Sequence, residues 1–363
     1  MTVVALEPRP GADLLSLPEL VYRGIVAARD AGFRAGVLRS VGIPARVISI
    51  GNLAAGGTGK TPLVALVAGH LAAMGRSVAI LTRGYGRSAR GLAALGPGEE
   101  VGDWRRIGDE PALLRRALPG VPLVIAADRV AAAREAIRRF EADTLVLDDG
   151  FQHRWLARDV DVVLLDARRP LDNGHVLPRG LLREPPAALA RAHLIVLTGD
   201  DPLADWGATA SRIAPWTRGA RAAGAVRVPT CWVDLGSGAR AAPEALAGRR
   251  ALAFAGIARP ARFQEMAEAL GVEVAAFLPF RDHHAYRGFD VAAIAAAARR
   301  HGAEIALTTE KDAIRLAGLP LPDGLAFKAL RIGMQVVWNA PAFWEVVGGR
   351  GEVPLAPGAG PEA

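Results

Sequence analysis

The sequence predicts an α/β fold: a P-loop NTPase-like, mostly parallel sheet with helices on both faces, plus a second, smaller α/β lobe. Three observations predict it. Six short apolar runs alternate with helix-like stretches, mostly of ten or more residues, between residues 46 and 198. The first of these runs opens into a glycine-rich turn followed by a helix, and four further runs repeat the strand pattern beyond residue 250.

Taken in chain order, residues 14–40 read as a helix, with Leu14, Leu17, Val21, Ile25 and Ala28 on one stripe and Arg23, Asp30 and Arg34 opposite. Such a helix either packs on the protein body or lies, as a basic amphipathic helix, on an anionic membrane. Arg23, Arg29, Arg34 and Arg39 against Asp30 tilt the reading mildly toward the second. The strand-like runs are VISIGN (47–52), SVAILT (77–82), PLVIAA (122–127), TLVLDD (144–149), DVVLLD (161–166) and HLIVLT (193–198). A looser, Gly/Pro-marked stretch follows at 199–224. ALAFAG (251–256), VEVAAF (272–277), EIALTT (304–309) and LAFKAL (325–330) then outline the smaller lobe. The expected organisation is an N-terminal amphipathic region (1–45), a P-loop domain (46–225), a smaller α/β lobe (226–345) and a disordered Gly/Pro-rich tail (346–363).

Composition narrows the function classes. With 363 residues, 51% of them hydrophobic, the chain can bury two cores. Cys231 is its single cysteine, which rules out an internal disulfide framework, makes zinc an unexpected ligand and points to a reducing compartment. The opening MTVVALEPRPGADLL lacks the charged and apolar regions of a secretory signal, and no run of 18 uninterrupted apolar residues predicts a membrane-spanning helix. The net charge of +7 comes almost wholly from arginine, lysine occurring only at 60, 311 and 328. That balance fits an anionic partner such as a nucleotide, a phospholipid or a nucleic acid, and by itself does not choose among them. No nucleic-acid recognition motif accompanies it, and no protein partner is evident.

The chemistry starts at the first strand. VISIGN runs into LAAGGTGKTP, in which Ala54, Ala55, Gly56, Gly57, Thr58, Gly59, Lys60 and Thr61 form a phosphate-binding loop. Backbone N–H groups of the glycine-rich turn can cradle phosphates, Lys60 can pair with the β- and γ-phosphates, and the Thr61 hydroxyl can ligate magnesium. The positive end of the following helix adds to the attraction. Ala54 replaces the usual first glycine of the pattern. A magnesium-orienting carboxylate is expected at the end of a neighbouring strand, and TLVLDDG supplies Asp148 and Asp149 without saying which of them serves. TEKD at 309–312 has its lysine one place too late to read guanine, and Ala54 and Ala55 stand where partition-type ATPases carry a second lysine. ATP with Mg2+ is therefore the default cofactor pair.

The wider set of motifs resembles one family. ISIGNLAAGGTGKTP (48–62), LTRGYGR (81–87), GDEP (108–111), DDGFQHR (148–154), LPRGLLREP (177–185), RDHHAY (281–286) and TTEKDA (308–313) occur in the order characteristic of the tetraacyldisaccharide 4'-kinases, the lipid A 4'-kinases. Each motif alone is weak apart from the phosphate loop and DDGFQHR, whereas seven in order are specific. The family's LPAGPLRE stands here as LPRGLLRE. The resemblance implies a peripheral enzyme on the cytoplasmic face of the bacterial inner membrane. It would transfer the γ-phosphate of MgATP to the 4'-hydroxyl of a tetraacyldisaccharide 1-phosphate. It also implies that the helix at 14–40 docks on that membrane. Asp109 of GDEP would serve as the catalytic base, with His283 of the second lobe as its partner beside the catalytic Lys60.

Other readings accompany these residues. Asp109 also fits a helix start, because GDEPALL places proline early. His153 fits a substrate contact or a partner that orients Asp149. Arg83, Arg87, Arg129 and Arg183 are candidate phosphate contacts among 41 arginines, the 44 basic residues less three lysines. Glu310, Lys311 and Asp312 stand open between an internal ion-pair network and a nucleotide contact. Tyr85, Phe280, Tyr286 and Phe289 read as core. The alternatives to the lipid kinase are a P-loop kinase of a soluble small molecule and a nucleotide-dependent switch or partition-type ATPase.

Overall fold

The structure, a computed structural model, describes residues 12–349. Helix α1 (Ser16–Arg34) precedes strand β1 (Arg46–Asn52), helix α2 (Lys60–Ala73) and strand β2 (Val78–Thr82). A short strand β3 (Ala93–Leu95) leads to helices α3 (Trp104–Ile107) and α4 (Asp109–Ala117). Strand β4 (Leu123–Ile125), helix α5 (Arg129–Phe140) and strands β5 (Thr144–Asp148), β6 (Val160–Asp166) and β7 (Leu194–Gly199) complete the first half.

Helix α6 (Trp206–Thr217) leads into the long strand β8 (Arg221–Asp234) and the two-residue β9 (Arg240–Ala241). The second half then runs β10 (Arg250–Ala255), α7 (Pro260–Ala269), β11 (Glu273–Pro279), α8 (Gly288–Arg300), β12 (Ile305–Thr309) and α9 (Glu310–Leu316). The long strand β13 (Ala326–Trp338) and helix α10 (Ala340–Gly348) end the described chain.

All these strands form one sheet in the order β11-β10-β12-β13-β8-β7-β6-β1-β5-β2-β4-β3, with β9 paired to β8. Neighbours are parallel within each half, apart from the edge strand β3 and from β9. The halves meet where β8 and β13 pair antiparallel over most of their length. The expected boundary at 225/226 falls inside β8. The sheet is thus mostly parallel with helices on both faces, as the sequence predicts.

The alternation of side chains explains the layering. Along β1 and β5, Ile48, Ile50 and Val146 enter one core with Leu63, Val64 and Val67 of α2, while Val47, Leu145 and Leu147 enter another with Val130, Ala133 and Ala136 of α5. In the second half, Ala251 and Ala253 pack on one face with Phe263, and Leu252 and Phe254 on the other with Ile294. Local caps set the helix starts. Asp128 accepts from the N–H groups of Val130 (2.8 Å) and Ala131 (3.1 Å), and Thr309 Oγ1 accepts from Asp312 N at 3.2 Å.

Three details depart from the sequence reading. The looser stretch 199–224 holds helix α6, started by the Asp205 side chain accepting Ala208 N at 2.8 Å. Its Pro215 falls in the last turn, and the helix ends soon after it, at Thr217. Strand β8 carries no apolar-run signal, because Gly224 and Pro229 disguise it. The expected tail begins at residue 346, yet Val346, Val347 and Gly348 belong to α10; the remainder, 350–363, lies outside the described residues.

Helix α1 is packed on the body, but not by its apolar stripe. Glu19 is buried and sits 3.0 Å from His175 Nδ1 and 3.5 Å from Arg179 Nη1. The Tyr22 hydroxyl donates to the Arg183 carbonyl at 2.9 Å, and Arg29 pairs with Glu184 at 3.0 Å. Leu17, Leu20, Val21 and Ile25 face outward at 71%, 66%, 58% and 63% exposure, beside the exposed Leu14. No helix among the described residues is long and apolar enough to cross a membrane.

Candidate active site

The site lies at the C-terminal ends of the strands, where open α/β sheets bind ligands. β1 ends at Asn52, and its side-chain amide ties the phosphate loop together by donating to Ala54 O (2.5 Å) and Thr58 Oγ1 (3.1 Å). Ala55 N–H donates to Leu181 O at 2.7 Å, and Ala54 bridges to Leu182, so both alanines are tied to the 181–183 segment. Gly56 and Gly57 have open space around them. Gly59 adopts φ +89° and caps α2, which begins with Lys60 and Thr61. A Cβ at Gly59 would meet Met334 Cε at 2.7 Å, so β13 roofs this end of the loop.

Lys60 Nζ lies 3.5 Å from Asp149 Oδ1, and Arg183 Nη1 reaches the same carboxylate at 2.8 Å. Asp149 takes φ +52°, a left-handed turn that directs its side chain away from the line of β5. Burial would raise its carboxyl, but Lys60 and Arg183 outweigh that and hold it low. Asp148 behaves oppositely. It is fully buried, accepts Thr82 Oγ1 at 3.1 Å, and is pushed up to about 7 by burial and by the charges of Glu110 and Asp149.

Thr61 lies in the first turn of α2, and Asp148 and Asp149 stand at the end of β5; hard oxygen donors of this kind suit Mg2+. No group of three or more His, Cys, Asp or Glu side chains able to hold a metal occurs among the described residues. Mg2+ is commonly held by one or two carboxylates together with substrate phosphates. Thr61, Asp148 and Asp149 fit that role.

The third element joins the two halves. Asp109 opens α4 and is buried; His283, at φ +58° after β11, places Nδ1 2.9 Å from Asp109 Oδ2. An ionised carboxylate only accepts, so Nδ1 carries the proton, while Nε2 lies 3.9 Å from Asp282 Oδ1. Arg315 of α9, 1% exposed, donates to the same Oδ2 from Nη2 (2.6 Å) and Nε (3.0 Å). Burial would raise the Asp109 carboxyl; the hydrogen bonds from His283 and Arg315, with the charges of Arg315 and Lys311, hold it well below the usual carboxylate range. The Asp109 hydrogen bond raises His283 in turn.

With this geometry in view, a family model described as tetraacyldisaccharide-1-P 4'-kinase matches residues 12–350. The chain belongs to that family. A tetraacyldisaccharide 4'-kinase from Anaeromyxobacter sp. (strain K) is 47% identical over 339 residues, covering 91% of this chain and 88% of the relative. Another, from Syntrophus aciditrophicus (strain SB), is 43% identical over 329 residues, covering 85% of each. The crystal structure of LpxK from Aquifex aeolicus in complex with ATP superposes with a TM-score of 0.74 at 28% identity, covering 93% of this chain and 98% of that one.

The remaining expected residues of this family member are dispersed around the site. Arg183 meets Asp149, as above, and Arg129 is buried, donating to Ala126 O (2.7 Å) and Asp148 O (3.4 Å). Burial lowers Arg129 to about 10. Arg87 donates to Ile125 O at 3.2 Å and to Gly91 O, whereas Arg83 is exposed. His153 does not reach Asp149: its ring lies against Trp155, centroids 5.4 Å apart, and burial beside Arg129 and Arg158 lowers it to about 4.

Glu310, Lys311 and Asp312 form the internal network, pairing with Arg331 (2.7 Å), Glu110 (3.1 Å) and Arg315 (3.2 Å). Tyr286 and Phe280 pack on Phe254, but Tyr85 and Phe289 are exposed at 79% and 66%, against their reading as core. Sequence reasoning missed Asn52 and Arg315. Asn52 closes the strand that opens the phosphate loop, a position that could have marked it; Arg315 carries no local signal.

Proposed function

We propose that this chain, an ATP-dependent tetraacyldisaccharide 4'-kinase of lipid A biosynthesis, performs its transfer with the Asp109–His283 pair at the reacting hydroxyl. Membership of the family supports the activity. The observation that carries the site assignment is the 2.9 Å contact between two residues 174 positions apart, from opposite halves of the sheet.

Gly56, Gly57, Thr58, Gly59, Lys60 and Thr61 hold the ATP phosphates, with Lys60 neutralising charge on the transferred group. Bound Mg2+, held by Thr61 and the Asp148–Asp149 pair, would supply further charge neutralisation. The bond between the γ-phosphorus and the ADP oxygen breaks as the substrate's O4' bonds to that phosphorus, and the hydroxyl proton passes to Asp109. A weakly basic carboxylate suffices, because the loose transition state asks for orientation first and proton acceptance late. His283 fixes the carboxylate's orientation.

The acceptor is a lipid, and the outward stripe of α1 supports a peripheral seat on an anionic membrane. Leu17, Leu20, Val21 and Ile25 present apolar area with Arg23 beside them, while the polar side of the helix is used against the body. We assign this seat to the cytoplasmic face of the bacterial inner membrane, where ATP is available.

Purified protein in mild detergent, given MgATP labelled at the γ-phosphate and tetraacyldisaccharide 1-phosphate, tests the reading. Label on the 4'-hydroxyl that is lost in Asp109→Ala supports it. ATP consumption without lipid label would refute the acceptor, and full activity of Asp109→Ala would refute the base.

A further inference from the structure

We infer that Arg315 is a positioning residue of the kinase: it pins one oxygen of Asp109 and so presents the other to the reacting hydroxyl. The inference rests on the proposed role of Asp109 and deepens it. Three side-chain donors converge on Asp109 Oδ2: Arg315 Nη2 at 2.6 Å, Arg315 Nε at 3.0 Å and His283 Nδ1 at 2.9 Å. Among the described residues, Oδ1 accepts only the backbone N–H of Glu110, at 2.9 Å. An ionised carboxylate offers about four acceptor positions, so Oδ2 is saturated and the free capacity lies on Oδ1.

The guanidinium is itself fixed. Its Nη1 donates to Gly256 O (2.7 Å) and to Asp312 Oδ1 (3.2 Å). Asp312 is completely buried and is held by Thr309 Oγ1 (2.6 Å), Tyr286 Oη (3.0 Å) and Gly256 N (3.1 Å). Arg315 therefore transmits the rigid packing of β10, β12 and α9 to a carboxylate on α4. A planar fork with several N–H groups can do this; a single ammonium cannot. Its Nη2 lies only 3.4 Å from His283 Nδ1, so the cation and the imidazole share one acceptor.

The groups facing Asp109 are His283, Arg315 and Lys311, with Glu110 next in the chain.

The test measures kcat, KM for ATP and KM for the lipid for wild type, Arg315→Met and Arg315→Lys. The expectation is an about 100-fold fall in kcat for Arg315→Met, with both KM values within about threefold. Arg315→Lys keeps the charge and loses the fork, so it melts below wild type but above Arg315→Met, recovers part of kcat and shows the same unchanged KM values. Should Arg315→Met fail to fold, the kcat and KM values of Arg315→Lys decide the question. A kcat within about threefold of wild type in Arg315→Met, or a loss carried by KM, overturns the assignment. Failure of wild type to label the lipid is a separate result, seen before any variant, and refutes the kinase reading instead.

Discussion

Lys60 Nζ lies 3.5 Å from Asp149 Oδ1, and the same carboxylate holds Arg183 Nη1 at 2.8 Å. The phosphate-loop lysine and the strand-end aspartate thus form one electrostatic unit, with a second cation that belongs to the 181–183 segment. That segment also accepts Ala55 N–H through Leu181 O, so the loop, the acid pair and Arg183 are positioned together.

Lys60→Ala separates the lysine's roles. Asp149 keeps Arg183, so the half-buried aspartate retains a partner and the melting temperature should fall little. The transferred phosphate loses its nearest cation, and kcat should fall about 100- to 1,000-fold, the cost of deleting one charge-stabilising donor. Label-transfer kinetics beside a thermal melt check this. A large drop in melting temperature would show that Lys60 is chiefly structural.

The Asp109–His283 contact makes stability depend on pH. His283 has its folded-state value raised by the Asp109 hydrogen bond. Its contribution is therefore fully present below the unfolded value of about 6.5 and is lost as pH rises through the folded value above it. Asp109 stays ionised throughout that window. Because the imidazole is half exposed, the contribution is about 0.5–1 kcal/mol. Wild type should melt above His283→Gln at pH 6, and the difference should close toward pH 9; a constant difference would contradict the linkage.

Replacing Leu17, Leu20, Val21 and Ile25 together by serine should leave the fold unchanged, since none of these side chains is buried against the body. Flotation with vesicles containing anionic phospholipid should fall at least about tenfold, because apolar area inserted in the interface sets the binding strength. The KM for the lipid should rise while the KM for ATP holds. Equal flotation of the variant and wild type would remove α1 from the membrane contact.

What the sequence made legible follows from range. The phosphate loop and Asp148–Asp149 are contiguous motifs at strand ends, and β1, β2, β4, β5, β6 and β7 are each marked by an apolar run, whereas β8 is not. The Asp109–His283 pairing came from family resemblance, since nothing local links residues 174 positions apart. Arg315 was invisible as one arginine among 41, its meaning set only by tertiary contact with Asp109 and Asp312. The facing of α1 was also hidden. Its stripe was plain, but that Glu19 and Arg29 would hold the body depends on His175, Arg179 and Glu184, more than 150 residues away.

Gly51 offers a test of how tightly the site is set into the sheet. It lies in β1, next to Asn52, and a Cβ there would stand 2.6 Å from Phe151 Cβ and 2.7 Å from Phe151 N. The turn that carries Asp149 passes this close to β1 because residue 51 has no side chain. Part of the clash involves backbone, so rotamer change cannot relieve it, and Gly51→Ala should destabilise the fold by about 1–3 kcal/mol. The displaced turn carries Asp149, so kcat should fall as well, by a factor well beyond the loss of folded protein. Chemical denaturation and label transfer on the same preparation separate the two effects. A variant that folds with native stability and turns over normally would show that the DDGFQ turn moves freely against β1.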